Sequence, residues 1–166
     1  MEPDLRGVMR NFATGVCVAT TYVDEPTGRR HDALTVNSLV SLSLDPPLVS
    51  ISLRNGSAFL AALRTSASWA VSILDVGSYD LAQAFAKDGA SRAVTLKTLA
   101  TRPGPRTGAL VLEAPGWLEC SLLHEWAAGD HTVVVGEVLT TWTRRRRPPL
   151  IFVDGGFHTV ESTARH

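Results

Sequence analysis

Cysteine is nearly absent: Cys17 and Cys120 are the only two in 166 residues. Two thiols so far apart fit neither a disulfide framework nor a metal motif. The expectation is a pair of buried, reduced thiols acting as small hydrophobes. An excess of either charge is also missing, since sixteen basic residues balance sixteen acidic ones. That balance argues against a general nucleic-acid or membrane-surface binder. No apolar run reaches the ~18–20 residues of a membrane span. The opening "MEPDLRGVMRNF" is charged and has no apolar signal core, so the sequence predicts a cytoplasmic protein that is not exported. Common enzyme signatures are missing too: no Gly-rich dinucleotide loop after a strand, no P-loop, no GxSxG elbow, no HExxH. His31, His124, His131, His158 and His166 are scattered, and no metal site is expected. These absences disfavour a hydrolase or a metalloenzyme. They leave chemistry that a bound organic cofactor performs itself.

What is present is strand. Runs rich in Val, Ile, Thr, Leu and Trp fall at 15–22, 35–44, 48–54, 69–75, 117–126, 131–141 and 150–153, separated by Gly, Pro, Asp or Ser clusters. "AAGD" (127–130) reads as a tight hairpin connection between two long strands. Leu5, Val8, Met9 and Phe12 recur at helical spacing and predict a short amphipathic helix over 4–12. Ser57 can cap a helix through Arg64, and Ser78 another through Lys87 with Gly89 as its stop. Residues 98–108 read as a surface loop, and Trp69, Trp117, Trp126 and Trp142 as core. Many strands with few helices predict a mainly β protein, a β-barrel with peripheral helices, because closure removes exposed sheet edges. No linker or repeat divides residues 1–166, which are read as one domain.

One stretch stands out, "TVNSLVSLSLDPPLVSISL" (35–53). Read as a strand, it alternates faces. Thr35, Asn37 and Ser41 lie on one face and Val36 and Ser38 on the other, with no charge until Asp45. Thr35, Asn37, Ser38 and Ser41 supply neutral donors and acceptors suited to the polar edge of a ring. Next comes "SLRNGSA", Ser52 to Ala58, where Arg54, Asn55 and the amides leading into a helix at Ser57 form a phosphate site. A second reading stays open at this point: these are strand-surface residues and Ser57 is only a cap. His131, after the turn, is either a surface histidine or a planar group at a barrel rim. The run Arg144–Arg147 is either a solvated loop or a contact for nucleotide phosphates.

Five segments, "FATGVCVATT" (12–21), "LTVNSLVSLSLDPPLVSISL" (34–53), "LAQAFA" (81–86), "WLECSL" (117–122) and "GDHTVVVGEV" (129–138), occur in that order. Together they resemble the short-chain flavin reductases, the NAD(P)H:flavin oxidoreductases that feed two-component monooxygenases. The resemblance covers nearly the whole chain. It implies an FMN-binding split barrel of Greek-key type, a homodimer, FMN or FAD as flavin, NADH or NADPH as co-substrate, and an oxygenase that receives reduced flavin. By it, Thr35, Val36, Asn37, Ser38 and Ser41 lie against the flavin, and Ser52, Leu53, Arg54, Asn55, Ser57 and Ala58 hold its ribityl phosphate. Phe85 and Arg92 sit near its far end, and Gly129 and Asp130 bring the catalytic His131 to the nicotinamide. Many members carry Gly where this chain has Ala33. Two alternatives remain at this stage: a flavoenzyme with tightly held flavin acting on a small organic substrate, and a flavin (or haem) carrier without turnover.

Overall fold

The computed structural model describes residues 3–144 and 147–160. Helix α1 (Leu5–Met9) leads into β1 (Thr14–Gly15), then β2 (Cys17–Glu25), β3 (Gly28–Val36), β4 (Val40–Leu44) and β5 (Pro47–Arg54). Helix α2 (Ala58–Ser66) precedes β6 (Ser68–Ile73). After a 3₁₀ turn come α3 (Tyr79–Phe85), α4 (Gly89–Thr98), and the short strands β7 (Thr101–Pro103) and β8 (Leu110–Leu112). The long hairpin β9 (Gly116–Ala128) and β10 (His131–Thr143) follows, then β11 (Leu150–Val153) and β12 (Gly156–Thr159). Seven strands form one antiparallel sheet in the order β3-β2-β6-β9-β10-β5-β4. The mainly β expectation holds. No helix among the described residues is long and apolar enough to cross a membrane.

The continuous strand expected over 35–44 is not made. It breaks at Asn37-Ser38-Leu39, and its two halves go to opposite edges of the sheet, β3 at one and β4 at the other. The break has a local cause. The Ser38 hydroxyl takes the Ser52 N–H at 2.9 Å and returns a bond to the Ser52 carbonyl, so a side chain stands where a ladder bond would run.

That three-residue link fixes the shape of the sheet. Four Cα steps span at most ~14 Å. The outer strands of a flat seven-stranded sheet would lie ~29 Å apart, at ~4.8 Å per strand. The sheet must therefore curl until its edges nearly meet at this end. No ladder joins β3 to β4, so the closed barrel expected from strand count alone is not formed, and a gap remains between the edges.

The concave side is filled by α2. Phe59, Leu60 and Leu63 pack with Cys17 and Ala19 of β2, Val36 of β3, Ile51 and Leu53 of β5, Trp69 of β6 and Val134 of β10. Ser57 caps α2 by accepting the Leu60 N–H at 3.2 Å, as its sequence position predicted. Gly136 is required where Trp69 crosses the backbone, because a Cβ there would come within 2.6 Å of the indole. On the other side of β2 and β3, Phe85 and Ala82 of α3 pack with Val16, Val18, Ala33 and Leu74.

Three expectations need correction. Gly89 does not stop a helix but begins α4, whose cap is Asp88 accepting the Ser91 N–H. The 98–108 loop contains β7 and is clasped from below by the buried Glu119, which accepts from the Arg106 and Thr107 amides and the Thr107 hydroxyl. Trp69 and Trp117 are core, but Trp126 and Trp142 are exposed. The two cysteines are free and buried, and burial pushes both thiols up to about 12.

Candidate functional site

The gap between the sheet edges is a trough of about 280 Å³ lined by Leu34, Thr35, Val36, Asn37, Ser38, Ser52, Leu53, Arg54 and His131. Eight of these nine are residues the sequence singled out; Leu34 is the addition. A larger hollow of about 620 Å³ shares Asn37, Ser38 and Ser52 with it and continues to Met9, Phe12 and Ile73.

The polar groups of the trough divide into engaged and free. Thr35 gives its hydroxyl to the Ala82 carbonyl of α3 at 2.7 Å, so its oxygen is tied to the scaffold. Ser38 is tied to Ser52 as described. Asn37 is exposed, and its amide has no protein partner among the described residues. Arg54 is exposed and makes no ion pair among the described residues.

His131 opens β10 directly opposite Arg54 of β5 and Ala128 of β9. The turn before it needs a left-handed residue, and Gly129 supplies φ +62°. The turn is pinned by Asn55, whose N–H bonds the Asp130 carbonyl at 2.9 Å and whose Nδ2 bonds the Gly129 carbonyl at 3.0 Å. The Oδ1 of the same side chain accepts from the Thr132 hydroxyl at 2.7 Å. Both amide atoms of the Asn55 side chain are thus engaged, and they lock the hairpin turn to the loop ahead of α2.

The Asp130 carboxylate lies 2.7 Å from His131 Nδ1. The hydrogen bond from His131, reinforced by the charges of His131 and Arg54, holds that carboxyl below the ordinary 3.8. An ionised carboxylate only accepts, so Nδ1 carries the proton and Nε2 is left for other partners.

Several expected residues are not brought to the trough. Ser41 lies exposed on β4, paired with Val49. Ala58 is exposed and Ser57 is occupied as the α2 cap. Phe85 is fully buried in the core beneath α3, because helical spacing turns it inward. Arg92 is held by Asp32 through two bonds of 3.1 and 2.9 Å and by the Lys87 carbonyl at 2.9 Å. It fastens α4 to β3 and has no donor turned to the trough. Within 144–147, Arg144 pairs with Glu113 and Arg147 with the buried Asp75; Arg145 and Arg146 lie outside the described residues, as does His166.

The N-terminal segment presents its apolar residues to solvent. Leu5, Val8, Met9 and Phe12 are all exposed, as are Val40, Leu42, Leu44 and Ile73. The helical spacing was right, but no residue of α1 is buried among the described residues.

An antiparallel sheet curled short of closure, with a trough in its gap lined by neutral polar and apolar residues and rimmed by Arg54 and His131, is the build of a ligand-holding β protein. It is not that of a doubly wound nucleotide-binding one. Comparison with known proteins then places it: residues 9–161 match the flavin reductase like domain, and the chain belongs to that family. It is 35% identical over 155 residues to the NADH-dependent FAD reductase of Streptomyces globisporus, covering 92% of this chain and 82% of that one. Among solved structures it is similar to BorF, the flavin reductase component of a bacterial two-component tryptophan halogenase. There the TM-score is 0.85 at 34% identity, over 94% of this chain and 96% of BorF. It is also similar to the NADH:FAD oxidoreductase SgcE6 of Streptomyces globisporus C-1027 in complex with NAD and FAD fragments. That TM-score is 0.87 at 31% identity, over 97% and 93% of the two chains.

Proposed function

We propose that this chain is an NAD(P)H:flavin oxidoreductase that reduces FMN or FAD and passes the reduced flavin to a partner monooxygenase. One observation carries the reading: a single trough gathers Thr35, Val36, Asn37, Ser38, Ser52, Leu53, Arg54 and His131. The residues fit a flavin. An uncharged wall with an amide at Asn37 that is unpartnered among the described residues suits the polar edge of a flat ring, and the exposed guanidinium of Arg54 ahead of α2 suits a phosphate.

A bound flavin supplies the redox chemistry, accepting two electrons and a proton as hydride from the nicotinamide. The chain's task is positional. Asn37 holds the ring edge, the rigid strand ends at Val36 and Leu53 fix the floor, and Arg54 neutralises phosphate charge. His131, its ring oriented by Asp130 through Nδ1, guides the nicotinamide with the face and Nε2 that remain. Orientation and exclusion of water are what such a reaction asks of a protein, so no acid–base constellation is needed.

We further assign residues 1–166 to one domain with the split-barrel form of its family, acting in the cytoplasm as a homodimer. The free, buried thiols suit a reducing compartment. The exposed apolar set of α1, β4 and Ile73 beside the larger hollow suits burial against a second copy. The decisive assay crosses NADH and NADPH with FMN and FAD. Nucleotide oxidation that requires flavin is the expected result; a background rate unchanged by saturating amounts of both flavins overturns the reading.

A further inference from the structure

Strand β10 begins at the trough with His131 and ends at Thr143. Trp142, near its far end, is therefore about 36 Å of extended strand away from His131. At that end lies a second hollow, of about 350 Å³, whose lining includes Arg102, Val111, Leu112, Glu113, Trp117 and Trp142. It shares no residue with the trough. Its volume falls within the range of small-molecule sites, roughly 300–1,000 Å³.

Trp142 pairs with Trp117 across the β9–β10 ladder, and their indoles stack with centroids 6.1 Å and planes 15° apart. Trp117 is buried in a core with Tyr22, Ala70 and Val111, whereas Trp142 is 40% exposed. A fixed inner indole thus backs an outer one that keeps open surface at the hollow. Val111 and Leu112 of β8, both buried, extend the apolar lining. Arg102 of β7 is exposed, and its guanidinium sits 5.5 Å from the Trp117 ring centroid. It makes no ion pair or side-chain hydrogen bond among the described residues. Glu113, the other charged residue of the lining, is already paired with Arg144 at 3.1 Å.

We propose that this hollow is a second binding site, separate from the trough, that takes a small aromatic carboxylate. The ring lies against Trp142 and the apolar lining, where aromatic contact adds to simple burial. The carboxylate accepts hydrogen bonds from the planar fork of Arg102. One uncommitted cation matches one negative charge. A phosphate ester carries nearly two, and Glu113 in the same lining opposes the second. An aliphatic acid would meet the arginine but leave the stacking surface bare. The site draws on none of the residues assigned to flavin or nucleotide, so it stands whether or not the chain oxidises NADH.

The test is a calorimetric titration of the full chain with phenylacetate, alone and with saturating flavin. The comparison ligands are 2-phenylethanol (the ring without the charge), acetate (the charge without the ring) and phenyl phosphate. Wild type is set beside Arg102→Gln and Trp142→Leu. Phenylacetate should bind more tightly than all three comparison ligands, with the same Kd whether or not flavin is present. Arg102→Gln should weaken it roughly tenfold or more, as for lost hydrogen bonds to a charged group. Trp142→Leu should weaken it roughly 2- to 12-fold, the range of one aromatic contact. Flavin Kd should stay constant in both variants. Absence of phenylacetate binding overturns the proposal, as does an affinity that neither substitution changes. Displacement by flavin would put the acid in the trough and overturn it too, and tighter binding of phenyl phosphate would overturn the carboxylate assignment. If Trp142→Leu fails to fold, Arg102→Gln, an exposed change, decides alone.

Discussion

Two carboxylates of this fold, Asp32 and Asp130, each hold a nitrogen-bearing side chain, and they serve different purposes. Asp32 and Arg92 join β3 to α4 with side chains 13% and 10% exposed. Asp130 and His131 join within the hairpin turn with side chains 86% and 40% exposed. In the first, Nε and Nη2 of Arg92 go to the carboxylate and Nη1 to a backbone carbonyl, so three of its five N–H donors are held by the scaffold. In the second, the carboxylate takes one ring nitrogen and leaves the other free. Burial makes the first pair scaffold; partial exposure at the rim of a trough makes the second an instrument. Residue type alone marks both as site candidates, and only the surroundings separate them.

The sharpest way to break this contrast is Arg92→Ala. It leaves the Asp32 carboxylate buried without its counter-charge, and removal of one partner of such a pair costs about 3–5 kcal/mol. Urea unfolding should show that loss, while the folded fraction binds flavin as before. Intact stability with weakened flavin binding would move Arg92 into the site.

The second contrast lies between neighbours on the trough wall. Asn37→Ala and Ser38→Ala should each weaken flavin binding, by about 0.5–1.5 kcal/mol for a neutral hydrogen bond. Only Ser38→Ala should also lower the melting temperature, because its hydroxyl links the chain to β5 at Ser52. Equal melting temperatures, read by calorimetry, would deny the Ser38 link any structural weight.

His131→Ala comes third. An aromatic contact with the nucleotide is worth roughly 0.5–1.5 kcal/mol. The apparent nucleotide KM should rise about 2- to 12-fold, with flavin Kd constant and kcat only modestly lower. A thousandfold fall in kcat at constant KM would signal a role in the transition state instead.

The smallest effect concerns His31. Burial, and then the charge of Arg29, hold its imidazole below the ordinary 6.5, and its Nδ1 has no partner among the described residues. The unfolded chain therefore binds the proton first as pH falls. Stability present above 6.5 is lost between that value and the lowered folded one. His31→Gln should flatten the melting temperature over that window; an unchanged slope would rule this histidine out as its source.

Strands were the legible part of the sequence, because alternation and β-branched residues mark them directly. The trough was legible from the neutral polar run at 35–41 and Arg54 and from the resemblance of the motifs; Asn37, Ser38, Arg54 and His131 do line one hollow. What escaped was set by tertiary contacts. Alternation runs straight through Asn37-Ser38-Leu39, so nothing local shows that Ser38 will replace a ladder bond. Helix α4 begins on a glycine that reads as a stop, although Asp88 with Ser91 carried a capping signal. Phe85, Arg92 and Asn55 have residue types that suit a ligand, yet core, ion pair and turn claim them. Trp126 and Trp142 look like core in composition, and only the folded chain shows them exposed.

The three bonds from Asn55 have a consequence for inheritance and for engineering. They make the turn at 129–130 and the loop ahead of α2 a single exchangeable module spread over two distant stretches of sequence. In a chimera with a relative, either stretch transplanted alone would arrive without its counterpart. The segments around Asn55 and Thr132 have to travel together, so variation in one should track variation in the other.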